Sequence, residues 1–520
     1  MLRPAVLTTI CAALALGAAA CGQSASGGAA DPATLVPAGA AFYLEAAVQP
    51  QGDRREDALA AAGKLLRTDD PSGRLRELVD ERLAQDGDGL TWEGDFAPWL
   101  GENAGVWAAD VAGDEPSVAV IVATADAEAA KATLERFSAI DGARGTPRSH
   151  AGTNYEVDPD GEAFGMIGDF VVAGTEDAFK RTAEMSEGGD RLADAGRYKD
   201  AVGELEEERL GHYYVDVKPL VDAALEQDPA TAAQLEQFKS ILPLDELGPV
   251  TGSFQADGDG LALDTVLTGI PEGPFRDLAQ LWSGGEAGLM AELPGDASGA
   301  FVTPELGDAA QELFSAFAGA IGGAAVAAQV RQATGLDLQE DVFAWVGDVG
   351  MFVRGTGPAD LGGALVIEAT DDGKATTAFG KLVGLVGKQT GAAPTPVPVE
   401  GAEAAFEIVA PGAPAKIVLA RGKGRVVAAY GRQAATDALD SDAPLGDANA
   451  YGDAEEILGE DMQPSFLLSL PAVIELADAM GATDAELDEA RPYLEALGVL
   501  TSGGAAGDDR VRSRVAVTLR

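Results

Sequence analysis

Few side chains in this sequence are suited to bond-making chemistry. Two histidines, His150 and His212, and two cysteines, Cys11 and Cys21, stand beside 85 acidic residues. The sequence contains no G-x-S-x-G, S-x-x-K, H-E-x-x-H or P-loop pattern. His150 lies in the loop-like RSHAGTN and His212 in LGHYYVDV, at the start of a strand. They read as a surface histidine and a half-buried one. The carboxylates offer more. The pattern D-x-x-x-W-x-G-[DE] runs from Asp95 through Trp99 and Gly101 to Glu102, and again from Asp341 through Trp345 and Gly347 to Asp348. Two carboxylates beside a Trp are the parts of a glycosidase-like acid/base pair. Two copies favour a fold element instead, with Trp as core anchor and Gly permitting the turn into an apolar strand. No catalytic residue is assigned.

Calcium is the other chemistry an acidic chain suggests. DGDG (86–89), DPDG (158–161) and DGDG (257–260) resemble the centre of an EF-hand loop. With each Gly at loop position six, position twelve falls on Asp95, Ile167 and Val266, so the bidentate Glu is missing from all three. Their strand-like flanks make them hairpin turns. No metal site and no cofactor are expected. The net charge of −49 excludes nucleic acid, whose phosphates need a basic surface.

The lone mature cysteine explains itself at the N-terminus. Arg3 precedes an uncharged stretch from Ala5 to Ala20. At 1.5 Å per residue this is too short for a bilayer core of about 30 Å, and it reads as a signal peptide over 1–20. Ala19-Ala20-Cys21 has the form of a lipobox, although Ala18 stands where Leu is preferred. Cleavage there leaves Cys21 as the only cysteine, with no partner for an intramolecular disulfide, and its acylation accounts for it. Residues 21–34 then form a lipidated Cys and a flexible tether.

The elements that must carry any site come in two sets. Seven segment pairs match in the same order, among them 90–109 with 336–355, 117–137 with 363–383 and 212–225 with 465–478. This predicts two tandem homologous units, 35–275 and 290–520, joined where Pro and Gly cluster. VAVIVA (118–123) and ALVIEA (364–369) read as strands. Each leads into an amphipathic helix, Asp126 to Phe137 and Asp371 to Val386. FGMIGDFVVAG and AKIVLARGKGRVVAAYG read as hairpins. The fold class is therefore α+β, each unit a largely antiparallel sheet flanked by helices. Whether the units are separate or share a sheet stays open.

VPAGAAFYLEAAVQP after a lipoprotein signal, together with DFAPWLGENAGVWAA, resembles an actinobacterial lipoprotein family catalogued as domain of unknown function 3352. The resemblance spans nearly the whole mature chain. It implies a secreted, lipid-anchored, two-lobed protein, and it carries over no catalytic residue.

One asymmetry points to function. Residues 313–330 contain no charge, whereas the matching stretch 53–84 is rich in Arg, Asp and Glu. Leu313, Phe314, Phe317, Ile321 and Val326 supply bulk on a helix starting near Pro304. Three readings are open: a helix sealed between the units, an apolar ligand or partner surface, and membrane insertion. The expectation is a non-enzymatic, membrane-anchored extracellular protein on the outer face of the cell membrane. It would bind a hydrophobic ligand or a basic envelope partner. The alternative is a carboxylate-dependent extracellular hydrolase with a site between the units.

Overall fold

The structure is a computed structural model describing residues 30–85, 90–111, 116–140, 145–227, 246–273, 288–318, 323–357, 360–409, 416–481, 485–507 and 509–520, with 244, 275, 276 and 279 singly. The signal peptide, Cys21, DGDG (86–89) and Ile321 lie outside the described residues. Those residues fall into two compact units, one ending at Gly269 and the other beginning at Ile270.

The first unit holds β1 (Phe42–Ala47), β2 (Leu100–Ala109), β3 (Ser117–Thr124), β4 (Thr146–His150), β5 (Thr153–Val157), β6 (Glu162–Ile167), β7 (Phe170–Thr175), β8 (Gly211–Val215), β9 (Val250–Ala256) and β10 (Gly260–Thr268). All pair antiparallel, in the spatial order β10-β9-β8-β1-β2-β3-β7-β6-β5-β4. Its helices are α1 (Asp53–Leu66), α2 (Pro71–Gln85), α3 (Ala127–Ile140), α4 (Glu176–Ser186), α5 (Gly196–Val202) and α6 (Val217–Gln227).

The second unit holds α7 (Gly288–Glu292), β11 (Ala297–Thr303), α8 (Leu306–Ala318), α9 (Gly323–Thr334), β12 (Val346–Arg354), β13 (Gly362–Ala369) and α10 (Asp372–Thr390). It continues through β14 (Thr395–Pro396), β15 (Ala404–Ile408), β16 (Ile417–Gly422), β17 (Arg425–Tyr430), α11 (Arg432–Leu439), α12 (Asn449–Leu458) and β18 (Gln463–Ser469). It closes with α13 (Leu470–Ala479), α14 (Ala485–Leu494), β19 (Leu497–Ala506) and β20 (Arg510–Leu519). Its antiparallel order is β20-β19-β18-β11-β12-β13-β17-β16-β15-β14. The chain is α+β.

Period-two alternation gives each sheet apolar side chains on both faces, and helices pack on both. β3 sends Ala119, Ile121 and Ala123 into a core covered by α4 and α5. Val120 and Val122 go into one formed with α2, α3 and Trp92. In the second unit Ala364 and Val366 of β13 face a core formed with α7, α11 and α12, and Ile367 faces α10.

Local chemistry fixes the element ends. Asp126 Oδ1 accepts the N–H of Glu128 and Ala129 at 3.1 Å and starts α3. Asp371 Oδ1 accepts that of Lys374 at 2.9 Å and starts α10, as the sequence predicts. The two expected hairpins are β6–β7 and β16–β17; Lys423 and Gly424 turn the latter at φ 53° and 73°. DPDG and the second DGDG are hairpin turns. Asp158 Oδ1 accepts from Asp160 and Glu162 N–H at 2.9 Å, and Asp257 Oδ1 from Asp259 and Gly260 N–H at 3.0 and 2.6 Å.

One expectation needs correcting. The last residues read as tether belong to the body: Asp31 caps a 3-10 turn, Pro32–Leu35, whose Ala33 is fully buried. Burial of Ala33 and Leu35, together with the Asp31 cap, offsets part of the cost of ordering the segment. The described residues of the charge-free stretch belong to α8 and α9, on either side of residues outside the described set.

Candidate functional site

The repeated Asp–Trp motif builds the same device in each unit. A single π-helical turn, Trp92–Phe96 or Leu338–Phe343, bends the chain back so that the Trp indole N–H donates to the carbonyl four residues earlier: Trp99 to Asp95 at 2.5 Å, Trp345 to Asp341 at 2.8 Å. The buried Asp carboxylate accepts a backbone N–H, from Thr91 at 2.9 Å or Asp337 at 2.8 Å. It also pairs with a cation on the following helix, Arg136 of α3 or Lys381 of α10, the latter at 2.6 Å. Gly101 is required because a Cβ there would lie 2.7 Å from the Ala123 carbonyl oxygen. The motif's two acids do different things: Asp95 pins α3, while Glu102 meets Arg54 at 3.4 Å. Sequence reasoning missed the cation, although Arg136 and Lys381 both stand ten residues past their N-caps.

His212 sits in a sealed polar layer of the first unit. Register places Gly105, Glu45, His212, Ser253 and Asp264 side by side across β2, β1, β8, β9 and β10. His212, Ser253 and Asp264 are buried. The Tyr198 hydroxyl lies 2.8 Å from His212 Nε2, and Gln255 Nε2 donates to Asp264 Oδ2 at 2.8 Å. Burial, aided by the positive charge of Arg209, pushes the imidazole down to about 3, so it is neutral. Burial also pushes Glu45 up to about 7 against the hydrogen bond from Tyr43. Ser253 and His212 face each other, but with Ser253 fully buried no substrate reaches it. In the second unit the corresponding glycine, Gly350, faces Val302, and Gly503 faces Arg514, so the fold itself does not demand this layer. His150, by contrast, lies at the surface 2.7 Å from Glu184.

The most exposed feature is apolar and lies on the second unit. One row of side chains crosses its sheet in register: Val515, Ser502, Phe466, Phe301, Met351, Leu365, Ala428, Leu419 and Phe406. Its Phe406 end is covered by Phe379 of α10, with ring centroids 6.2 Å apart. The middle is open: Phe301 is 46% exposed, Met351 48% and Leu365 41%, with Val353 beside them at 41%. In the first unit the matching row passes through Leu44, Val106 and Val120, where Val79 and Leu83 of α2 help form a closed core. Three neighbouring strands showing large apolar side chains to solvent are unusual for a surface with no partner.

Of the residues singled out in the charge-free segment, those described lie on α8 and α9, and α8 packs against β12, one of the strands of this face. α8 packs on β12 and on the π turn; Leu306 joins the core that contains Trp345, and the Phe314 ring lies 5.9 Å from that of Phe343. Leu313, Phe314 and Val326 are half-buried, while Ala324, Ala325 and Ala328 of α9 are exposed. Phe317 falls within α8, with its side chain outside the described set. Among the described residues no helix is long and apolar enough to cross a membrane.

Fold and site together define an α+β protein with an open apolar sheet face. The chain belongs to the family described as "Protein of unknown function (DUF3352)", whose profile matches residues 5–404. Among curated proteins none matches. Among solved structures the chain is similar to crystal form III of TP0453, at 12% identity and TM-score 0.27, covering 48% of this chain and 85% of that one. Crystal form IV of TP0453 gives 13% identity and TM-score 0.26, with 46% and 80% covered.

Proposed function

We propose that this protein is an extracytoplasmic lipoprotein, held at the outer face of the cell membrane through Cys21, that binds a hydrophobic ligand on its second unit without chemically altering it. The observation that carries the reading is the in-register row Phe301–Met351–Leu365, beside the helix pair α8–α9. Each of these side chains is about half exposed, so covering it gains about 1 kcal/mol, enough for a binding face when several act together. The anchoring rests on the signal sequence and the lone mature cysteine.

The two units descend, in this reading, from one duplicated ancestor. The matched segments, the shared strand order and the Asp–Trp device with its cation at the same helix position support it. The first copy closed its outer face with α1 and α2. The second left it open.

Native mass spectrometry of the delipidated protein, together with titration of a fluorescent naphthalene probe, tests the binding. Bound apolar molecules and saturable probe fluorescence are expected. Phe301→Asp and Met351→Asp should abolish both while leaving the fold intact, since neither side chain is buried. Recovery free of ligand from several hosts, with no saturable probe signal, would overturn the proposal.

A further inference from the structure

The first unit contains a second, independent candidate. A cleft of about 770 Å³ opens between one face of α3 and strands β4, β5 and β6. Leu134, Phe164 and Met166 line it with apolar surface. The polar groups are arranged by position. Glu156 lies at one end of the helix face, accepting the Ser138 hydroxyl at 2.8 Å. Lys131 stands seven residues earlier on α3, hence about 10 Å along its axis. Lys131 is exposed and has no partner among the described residues. Asn154 and Ser149, which face each other across β4 and β5, add an amide and a hydroxyl, and Glu135 sits on the rim.

The second unit shows that the fold does not require this opening. There β15 carries Phe406 opposite Leu419 where β5 carries Glu156 opposite Phe164, and Phe379 of α10 packs onto Phe406. The place where one unit closes helix on sheet is, in the other, a cleft with an apolar middle, a cation and a carboxylate.

We propose that the cleft binds a short extended peptide of about three residues, its N-terminal ammonium at Glu156, its C-terminal carboxylate at Lys131 and an apolar central side chain on Phe164 and Met166. Three extended residues span about 10 Å, comparable with the rise of α3 between Lys131 and Ser138, whose hydroxyl is bound to Glu156. The carboxylate has the Lys131 ammonium as its counter-ion, and the Asn154 and Ser149 side chains supply further donors along the cleft. A peptide with one end blocked leaves one protein charge unanswered, so selectivity for free termini is built in.

The test is calorimetric titration of the full mature chain in detergent with the tripeptide Ala-Leu-Ala, its N-acetylated form and its C-amidated form. The free peptide should bind saturably and each blocked form about tenfold or more weakly. Glu156→Gln should weaken the free peptide and make acetylation indifferent. Lys131→Met should do the same for amidation. Circular dichroism verifies that both surface variants fold. Absence of saturable binding, or variants that weaken all three peptides alike, would overturn the proposal. It stands apart from the apolar face, because Met351→Asp should leave tripeptide binding unchanged.

Discussion

The Tyr43 hydroxyl donates to Oε2 of Glu45 at 2.6 Å, two residues along the same strand, and Glu45 in turn faces His212 across β1 and β8. Burial acts on the two charges in opposite directions. Glu45 is raised from 4.5 to about 7, so the folded state resists ionising it. Stability is therefore present below pH 4.5 and lost as pH rises toward 7, by about 3 kcal/mol in all. His212 is depressed from 6.5 to about 3, so its contribution is full above pH 6.5 and lost as pH falls toward 3, by about 5 kcal/mol. Between pH 4.5 and 6.5 the two slopes cancel. Denaturant unfolding of the first unit should then be nearly flat with pH in that window. Glu45→Gln should leave a stability that climbs with pH from 3 to 6.5, and His212→Asn one that declines from 4.5 to 7. Parallel profiles for the two variants would contradict the assignment.

The Asp–Trp device predicts a stability coupling. Asp341 is buried and bound to Lys381 Nζ at 2.6 Å, and it also accepts the Asp337 N–H. Removing the cation leaves a buried carboxylate without a counter-ion, at a cost of about 3 kcal/mol. Lys381→Met alone should destabilise the second unit by roughly that amount. Adding Asp341→Asn should recover part of it, because the buried charge is gone. A double-mutant cycle by urea unfolding measures the coupling, expected at about 1–3 kcal/mol. Additive losses would show that the ion pair does not hold α10 to the turn.

A third prediction concerns close packing in the sheet. Tyr213 lies across Gly252 to reach the Thr265 hydroxyl at 2.7 Å. A Cβ on Gly252 would meet the Tyr213 ring at 2.4 Å and the Asp264 carbonyl oxygen at 2.2 Å. The side chain can swing away, but the ladder backbone cannot. Gly252→Ala should cost about 3 kcal/mol, whereas Tyr213→Phe, which loses only a hydrogen bond, should cost about 1 kcal/mol. Thermal melts of the two variants rank them.

The sequence was most legible where one short-range rule decided the outcome. The caps Asp126 and Asp371, the turn at Lys423-Gly424 and the alternation in β3 follow from residue type and spacing alone. The Asp95 and Asp341 motifs were readable as fold elements because they recur, yet their cations lie 41 and 40 residues downstream, beyond any local pattern. The apolar row was hidden for a different reason. Phe301, Met351 and Leu365 sit in strands whose neighbours also look apolar, and only the register shows that these three face outward together. The absence of charge in 313–330 did mark the region that supplies much of α8 and α9. Glu45 carried no sequence signal, since its perturbation comes from burial beneath elements distant in the chain.

The last prediction concerns the anchor. The body already holds Asp31, whose side chain accepts the Ala33 N–H at 2.8 Å, so the proposed anchor at Cys21 would be separated from the body by residues 22–30. As a random coil, nine residues of that composition would have a root-mean-square reach of about 16 Å. In the proposed reading the acidic body is repelled by anionic lipid only within a Debye length, about 8 Å at physiological salt, so its charge would lift it but not detach it. Detachment should need loss of the lipid itself. Cys21→Ser should abolish incorporation of labelled palmitate and release the protein into the medium. Lys131→Met and Phe301→Asp should remain membrane-bound. Doubling the tether with a Gly-Ser insert after Gly27 should change neither anchoring nor thermal stability. Persistence of Cys21→Ser in the membrane fraction after a high-salt wash would show that another part of the chain holds it there.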